Sequence, residues 1–464
     1  MKSNSRIALK AGLWYIIGNF ASKAAVFLTT PIFARLLSQE DYGSFSNFTS
    51  WLTILTVIVT WNLYSSMNNA RYAFDKNLDD YIASILVFGT GVTLVFYFLF
   101  FIFQEPLLSL FGMKQQYVHF IFVYLLVSPA FEIVQAKYRV LFKYKLAITL
   151  AFAKILLSVL LSLLLVICFE NQLDGRIIGY LIPGFVINVI LYVIAIRKRH
   201  FSFKYIKYAV ALSIPLAVHI LAKDILASSD KIMITNICGS VYTAKYSLAY
   251  SLTSIVMILV QSVNQAWQPW LFENLKNKSF ENIKKATLIY MGTFAIAAIG
   301  IALISPELIL LLGGNKYADV KWIVPSLITG CIFQVAYGFY VNIEQFERKV
   351  KGIAFGTIIA AAANIILNIF LIPKFGYLAS AYTTLVGYVI LYVIHYAIVS
   401  KMGKVQIYSN KIILIELLLT SIILHLVLLT YNNNRLRWGI IVIYFIAIMV
   451  FGLKLWKEKT HEKN

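Results

Sequence analysis

Blocks of about 20 apolar residues recur along the whole sequence, each closed off by a short cluster rich in Lys or Arg. That length is what an α-helix needs to cross a hydrocarbon layer about 30 Å thick at a rise of about 1.5 Å per residue. Fourteen such blocks can be placed, near residues 11–34, 43–66, 81–103, 117–136, 147–169, 177–196, 208–229, 240–263, 286–305, 322–343, 353–373, 377–400, 412–431 and 438–453. Their length and sparse period-two alternation favour helices over barrel strands, because in hydrocarbon each helix satisfies its own backbone polar groups. Composition agrees: 60% of the 464 residues are apolar and 13% charged, against about 45–50% and about 25% in ordinary soluble domains. The expected fold class is all-α and integral to a membrane, which excludes a conventional water-soluble enzyme.

The formal net charge of +21, from 41 Lys and Arg against 20 Asp and Glu, would point to nucleic acid in a soluble chain. Here the basic residues lie between apolar blocks, so topology accounts for them and no nucleic-acid partner is expected. With the N-terminus inside, 28 of the 41 fall in inner connections, ten in or beside outer ones and three within spans. Cytoplasmic enrichment of Lys and Arg then places both termini in the cytoplasm. The basic start runs into a long apolar stretch containing Asn19 and Lys23, with no small-residue cleavage signature, so it is expected to remain as the first span. Cys168, Cys238 and Cys331 lack metal or redox spacing and are read as packing residues. No GxxxxGK[ST] run is present, and the longest outer connections are about a dozen residues. Neither a nucleotide domain nor an outer catalytic domain is therefore expected.

An internal repeat orders the spans. ARLLSQEDYGSFSNFTS at 34–50 resembles ITNICGSVYTAKYSLAY at 234–250, and KYRVLFKYKLAITL at 137–150 echoes FERKVKGIAFGTII at 346–359. The repeat predicts a six-helix lobe over 1–205, a second over 206–405, and two further helices with a tail over 406–464. Parallel repeats of this kind enclose a site near the membrane midplane.

Several motifs carry a family likeness. TPIFARLLSQEDYG, with Thr30, Pro31, Arg35, Leu36, Leu37 and Asp41 to Gly43, resembles the first-helix signature of polysaccharide-exporter (Wzx-type) flippases of the multidrug/oligosaccharidyl-lipid/polysaccharide (MOP) superfamily. The Ser229-Asp230-Lys231 exit of span seven, QAWQPWLFE at 265–273 and NIILNIFLIPKFGYLASAYTT at 364–384 are similar to the same group, the last being the most specific through Asn364, Asn368, Pro373, Gly376, Ala379 and Ala381. Leu378 departs from a common Gly. The resemblance covers roughly residues 5–400 and implies a MATE-like arrangement of two six-helix lobes opening alternately to either side. It implies as cargo an undecaprenyl-pyrophosphate-linked oligosaccharide repeat unit, flipped across the bacterial cytoplasmic membrane for capsule, O-antigen or exopolysaccharide synthesis. The polymerase and export machinery of that pathway are the implied partners. No cofactor is implied, and the coupling ion, proton or sodium, is left open.

Ionisable residues inside spans cost about 2.5–3.5 kcal/mol on insertion scales and so should face a cavity or a partner. Lys23, one helical turn from Asn19, is the expected cavity cation for the pyrophosphate. His219, Lys223 and Asp230 fall on one stripe of span seven, which contains Pro215, while Asp224 falls off it. Arg35, Lys231 and Lys245 lie near the outer end, where they could receive the pyrophosphate or reach the interface. Tyr42, Tyr246, Tyr337 and Asn342 are candidate sugar contacts. Glu132 with Lys154, and His395 with Glu416, have matching depths on adjacent spans and are read as structural pairs. The competing functions are another MOP transporter, either a multidrug/cation antiporter or a peptidoglycan-precursor flippase, and a membrane polysaccharide polymerase. The cavity cations argue against a cationic-drug antiporter, and the short outer loops against a polymerase.

Overall fold

The computed structural model describes Gly18, residues 27–349 and residues 351–461, with side chains described to residue 450. Asn19 and Lys23 lie outside the described residues. Among the described residues the structure is helical, without strands. Eleven helices among the described residues are long and apolar enough to cross a membrane, and they correspond to expected spans three to thirteen. Three expected spans are not among them. The first is described only as the short helix α1, Phe27–Leu36. The second is α2, Gln39–Thr60, a helix rich in Ser and Thr. The fourteenth falls within α17, Asn434–His461.

The Cα packing forms two compact units, Met1–Ser247 with Arg348–Ile390, and Leu248–Glu347 with Leu391–Asn464. These packing units cut across the repeat halves expected from the sequence. The helices after α2 are α3 (Met67–Ala73), α4 (Leu78–Ile102), α5 (Gln104–Phe111), α6 (Gln115–Val127), α7 (Pro129–Val140), α8 (Tyr144–Cys168) and α9 (Gln172–Ile196). They are followed by α10 (Phe203–Cys238), α11 (Ser240–Lys276), α12 (Phe280–Gly313), α13 (Val324–Phe346), α14 (Lys351–Phe375), α15 (Leu378–Lys401) and α16 (Asn410–Val427).

In the first unit, α2 starts where the Ser38 side chain accepts from the Asp41 N–H, with Glu40 and Asp41 in its first turn. Both features satisfy the positive end of the helix. Phe45, Phe48, Leu52, Leu55 and Val59 then form a buried stripe at intervals of three and four, packed on Phe100, Phe122 and Leu125. The helix stops at Trp61 and Asn62, both in the left-handed region at φ 48° and 52°. α10 buries Ala209, Ser213, Ala217, Ala222 and Ser229, a row of small residues that lets neighbouring backbones come close. Its packing on α2 and α14 forms the centre of this unit.

Two glycines allow close approaches of backbone to backbone. A Cβ on Gly43 would lie 1.7 Å from the Ser240 carbonyl oxygen, so α2 meets the start of α11 backbone to backbone, with Ser44 Oγ donating to Ser240 Oγ at 3.0 Å. A Cβ on Gly179 would lie 2.4 Å from the Ser162 Cα, which draws α8 and α9 into a tight hairpin. Near the Gly43 contact, Asn47 Nδ2 donates to the Phe111 carbonyl at 2.8 Å and Asn236 Nδ2 to the Leu110 carbonyl at 2.7 Å. These bonds seal one end of the unit.

The second unit packs α12, α13 and α16 on one another. Tyr290 and Phe339 pack at a tilt around Trp267, at 5.1 and 5.6 Å between ring centroids. Arg437 pairs with Glu307, and Tyr431 Oη donates to the Ala302 carbonyl at 2.7 Å, which ties the chain around α17 to α12.

Candidate functional site

Two helix breaks flank a cavity of about 310 Å³ within the first unit. One is the left-handed pair Trp61 and Asn62. Successive non-glycine residues in that region cost about 1–3 kcal/mol each. Asn accepts the conformation more readily than most residues, and the Trp61 ring is held edge-on against Phe88 at 5.5 Å. The other break is Ser128 with Pro129, where proline cannot continue the hydrogen-bond ladder of α6. Thr90 Oγ1 donates to the Leu126 carbonyl there at 3.0 Å.

The wall is built from Leu52, Thr53, Thr56, Val57 and Thr60 of α2, the segment Asn62 to Tyr64, Tyr124 of α6, Ser128 at the break, Pro129, Glu132 and Ile133 of α7, Lys154 of α8, Tyr180 of α9, and Ile220 and Asp224 of α10. The Lys154 ammonium lies 4.1 Å from the centroid of the Phe131 ring and 5.9 Å from that of Tyr124, an aromatic cradle that stabilises a cation away from water. Among the described residues, neither polar side-chain atom of buried Asn62 nor the Ser128 hydroxyl has a hydrogen-bond partner. Leaving such groups bare costs about 1–3 kcal/mol each, so this wall is arranged for a polar occupant.

A second polar cluster is sealed from the surface. Asp230 is 1% exposed. Its Oδ2 accepts from Tyr246 Oη at 2.6 Å and from Thr384 Oγ1, and its Oδ1 accepts from Asn368 Nδ2 at 2.6 Å. Asn364 Oδ1 accepts from Ser229 Oγ at 3.2 Å, and Thr383 Oγ1 donates to Asn368 Oδ1 at 2.6 Å. One carboxylate thus gathers hydroxyls and amides from α10, α11, α14 and α15. Such oxygen donors suit a proton or a hard cation that takes the place of these hydrogen bonds.

The structure brings some of the expected residues together and separates others. Glu132 and Lys154 line one cavity, but no ion pair within 4 Å joins them, because the aromatic rings hold the ammonium. His395 does not pair with Glu416. Its Nδ1 lies 2.5 Å from Glu344 Oε1 on α13, both side chains being fully buried, while Glu416 sits beside Gly292. Matching depth on consecutive spans was the wrong guide, since α13 stands nearer to His395 than α16 does. Lys223 is exposed and Asp224 lines the cavity, the reverse of the expected stripe. Neighbouring residues on a helix differ by about 100°, and a span apolar on every side carries no signal that sets its phase.

His219 and Lys231 are half-buried and Arg35 is exposed. Lys245 lies 5.6 Å from the centroid of the Tyr242 ring. Tyr42 packs against Phe33, Leu37 and Val166. Tyr246 is fully buried with its hydroxyl on Asp230, which removes it from any cavity surface. In the second unit, Asn342 is buried and Tyr337 stacks on His395 at 5.6 Å. Residues passed over include Asn62, Tyr64, Ser128 and Tyr180 around the cavity, Glu344, and Arg176. The Arg176 guanidinium lies 3.6 Å from the centroid of the Phe33 ring and 4.2 Å from that of Phe45. Only Asn62 carried a signal, as a polar residue beside Trp61 inside an apolar block.

His395→Ala is expected to destabilise the second unit by about 3–5 kcal/mol, because it strands the buried Glu344 carboxylate. Thermal unfolding of the detergent-solubilised protein measures it, and an unchanged melting temperature would overturn the pairing as a structural tie.

The long apolar helices, with the cavity and the buried Asp230 among them, define an all-helical integral membrane protein, and comparison of structures agrees on the fold. The fold is that of the lipid II flippase MurJ in an inward closed conformation, with TM-score 0.68, 15% identity, and coverage of 96% of this chain and 99% of that one. It is also that of an inward-facing multidrug resistance MATE family transporter of the MOP superfamily, with TM-score 0.62, 13% identity, and coverage of 86% and 98%. In sequence, an Lsg locus protein of Haemophilus influenzae is 22% identical over 423 residues, 85% of this chain and 98% of that protein. An uncharacterized membrane protein of Methanocaldococcus jannaschii is 23% identical over 489 residues, covering 97% and 96%. Residues 8–275 match the polysaccharide biosynthesis protein family, and the chain belongs to it.

Proposed function

We propose that this protein is a flippase that carries undecaprenyl-pyrophosphate-linked oligosaccharide repeat units across the cytoplasmic membrane, for synthesis of capsule, O-antigen or exopolysaccharide. The observation that carries the reading is the cavity, polar and aromatic at once, in a chain of the polysaccharide biosynthesis family. The repeat halves 1–205 and 206–405 rock against each other, with 406–464 appended. Both termini face the cytoplasm, so the Gly43 to Ser240 seal falls at the outer end. Lys23, Arg35 and Lys231 supply cations for the pyrophosphate, and the prenyl tail stays in lipid. The Asp230 cluster is where a coupling ion, proton or sodium, enters the cycle. Polymerisation on the outer side removes the product and draws the transport forward. No reaction on the cargo is assigned to the chain.

The test is the pool of lipid-linked saccharide in a deletion strain, assigned to a leaflet with a membrane-impermeant glycosidase or lectin. Complete repeat units are expected to accumulate on the cytoplasmic face and to clear when the intact gene is restored. Units that reach the outer face and remain unpolymerised would replace this reading with a polymerase.

A further inference from the structure

The cavity's charge does not fit the pyrophosphate end of such a cargo. Among the described residues its wall holds two carboxylates, Glu132 and Asp224, and one ammonium, Lys154, with no arginine. A diphosphate calls for an excess of Lys, Arg or backbone N–H donors, and two carboxylates oppose it. The Lys154 charge is already met by the Phe131 ring at 4.1 Å.

The same wall suits a sugar ring. Carboxylates accept from hydroxyls and amines, and the rings of Tyr64, Tyr124 and Tyr180 offer apolar faces beside polar tips. Asn62 is 2% exposed, lines the cavity, and leaves both its amide oxygen and its amide nitrogen without a partner among the described residues. An amide offering donor and acceptor together can satisfy a hydroxyl in either role. The Ser128 hydroxyl, also without a partner among the described residues, adds a second such group. The volume of about 310 Å³ is at the small end of the range for ligand sites, which admits part of a lipid-linked saccharide.

We infer that this cavity is the saccharide subsite of the transport path, that it takes a neutral or amino-bearing sugar ring, and that it rejects acidic sugars and the pyrophosphate. The inference rests on the flippase reading and names the portion of the cargo that the cavity holds. Asn62 and Ser128 hydrogen-bond the ring, Glu132 and Asp224 set the charge preference, and the Trp61–Asn62 break holds the amide in place.

The test uses full-length protein in nanodiscs, with the three cysteines replaced by serine and Thr56→Cys as a thiol reporter in the cavity wall. Modification by a cationic trimethylammonium thiosulfonate is expected to exceed that by an anionic sulfonate analogue by about tenfold, after correction for a free thiol. Glucosamine and N-acetylglucosamine are expected to slow the reaction, while glucuronate and ethanolamine leave it unchanged. Glu132→Gln with Asp224→Asn should abolish the charge preference. Asn62→Gly, which keeps the left-handed φ of 52° without strain, should abolish protection by N-acetylglucosamine without lowering the melting temperature, a result that a purely structural asparagine would not give. Protection by glucuronate equal to that by glucosamine, protection by ethanolamine, or protection by neither sugar would each overturn the subsite. These readouts need no transport, so a deletion strain that still flips its repeat units would remove the flippase reading and leave the binding result standing.

Discussion

Asp230→Ala will take the short acceptor away from buried Tyr246, Thr384 and Asn368, leaving them only the longer Tyr246–Thr384 and Asn368–Asn364 contacts at 3.3 Å. At about 1–3 kcal/mol for each bare group, the loss is a large fraction of the roughly 5–15 kcal/mol that keeps a typical protein folded. The alanine protein is therefore expected to be depleted from the membrane, and what remains to unfold at a lower temperature in detergent. Asp230→Asn separates folding from transport. It keeps the shape and one acceptor oxygen but cannot hold a negative charge, so abundance should stay near the parent's while polymer export collapses. Immunoblotting of membranes together with export in a complemented deletion strain reads both effects. Normal export by the asparagine variant would show that the carboxylate charge has no part in the cycle.

Gly43→Ala is expected to have the second large effect, and by a different route. The added methyl would lie 1.7 Å from the Ser240 carbonyl oxygen, and a backbone atom cannot rotate away as a side chain can. Overpacking costs about 1–3 kcal/mol, and here the cost falls only on the conformation in which α2 and the start of α11 touch. A penalty of that size on one of two conformations shifts their ratio by roughly 5- to 150-fold. The variant should insert and accumulate normally, lose export, and hold the Gly43 end open. A cysteine at Ser240 would then react with an impermeant thiol reagent far faster than in the parent background. Equal rates would show that the seal does not open and close.

The apolar blocks of spans three to thirteen could be read because a long run of Leu, Ile, Val and Phe in a membrane has few alternatives to a helix. α2 blurs that signal with its many Ser and Thr residues, several of which donate to carbonyls of their own helix, as Ser50 does to Ser46 at 2.8 Å. Asp230, Asn364 and Asn368 were legible through one motif and one stripe, and the structure joins them. What could not be read was which side each polar residue faces. Glu344 and His395 are 51 residues apart, and no local pattern links them. The cavity wall was hidden for a related reason. Asn62 and Ser128 acquire their role from breaks in two helices, and Lys154 from an aromatic ring rather than from the carboxylate of Glu132.

The hairpin of α8 and α9 has a consequence for how the protein is made. With a Gly179 Cβ position 2.4 Å from the Ser162 Cα, and a Gly175 Cβ position 2.4 Å from the Leu165 carbonyl oxygen, no lipid chain and no larger side chain fits between the two helices. Such a pair is best assembled as it leaves the ribosome and the insertion machinery, one helix serving as the template for the next. Substitutions at Gly175 and Gly179 would accordingly be sorted by quality control during biogenesis, before any cargo is met. Genetic lesions at the α8–α9 contact are therefore expected to erase the protein rather than silence it.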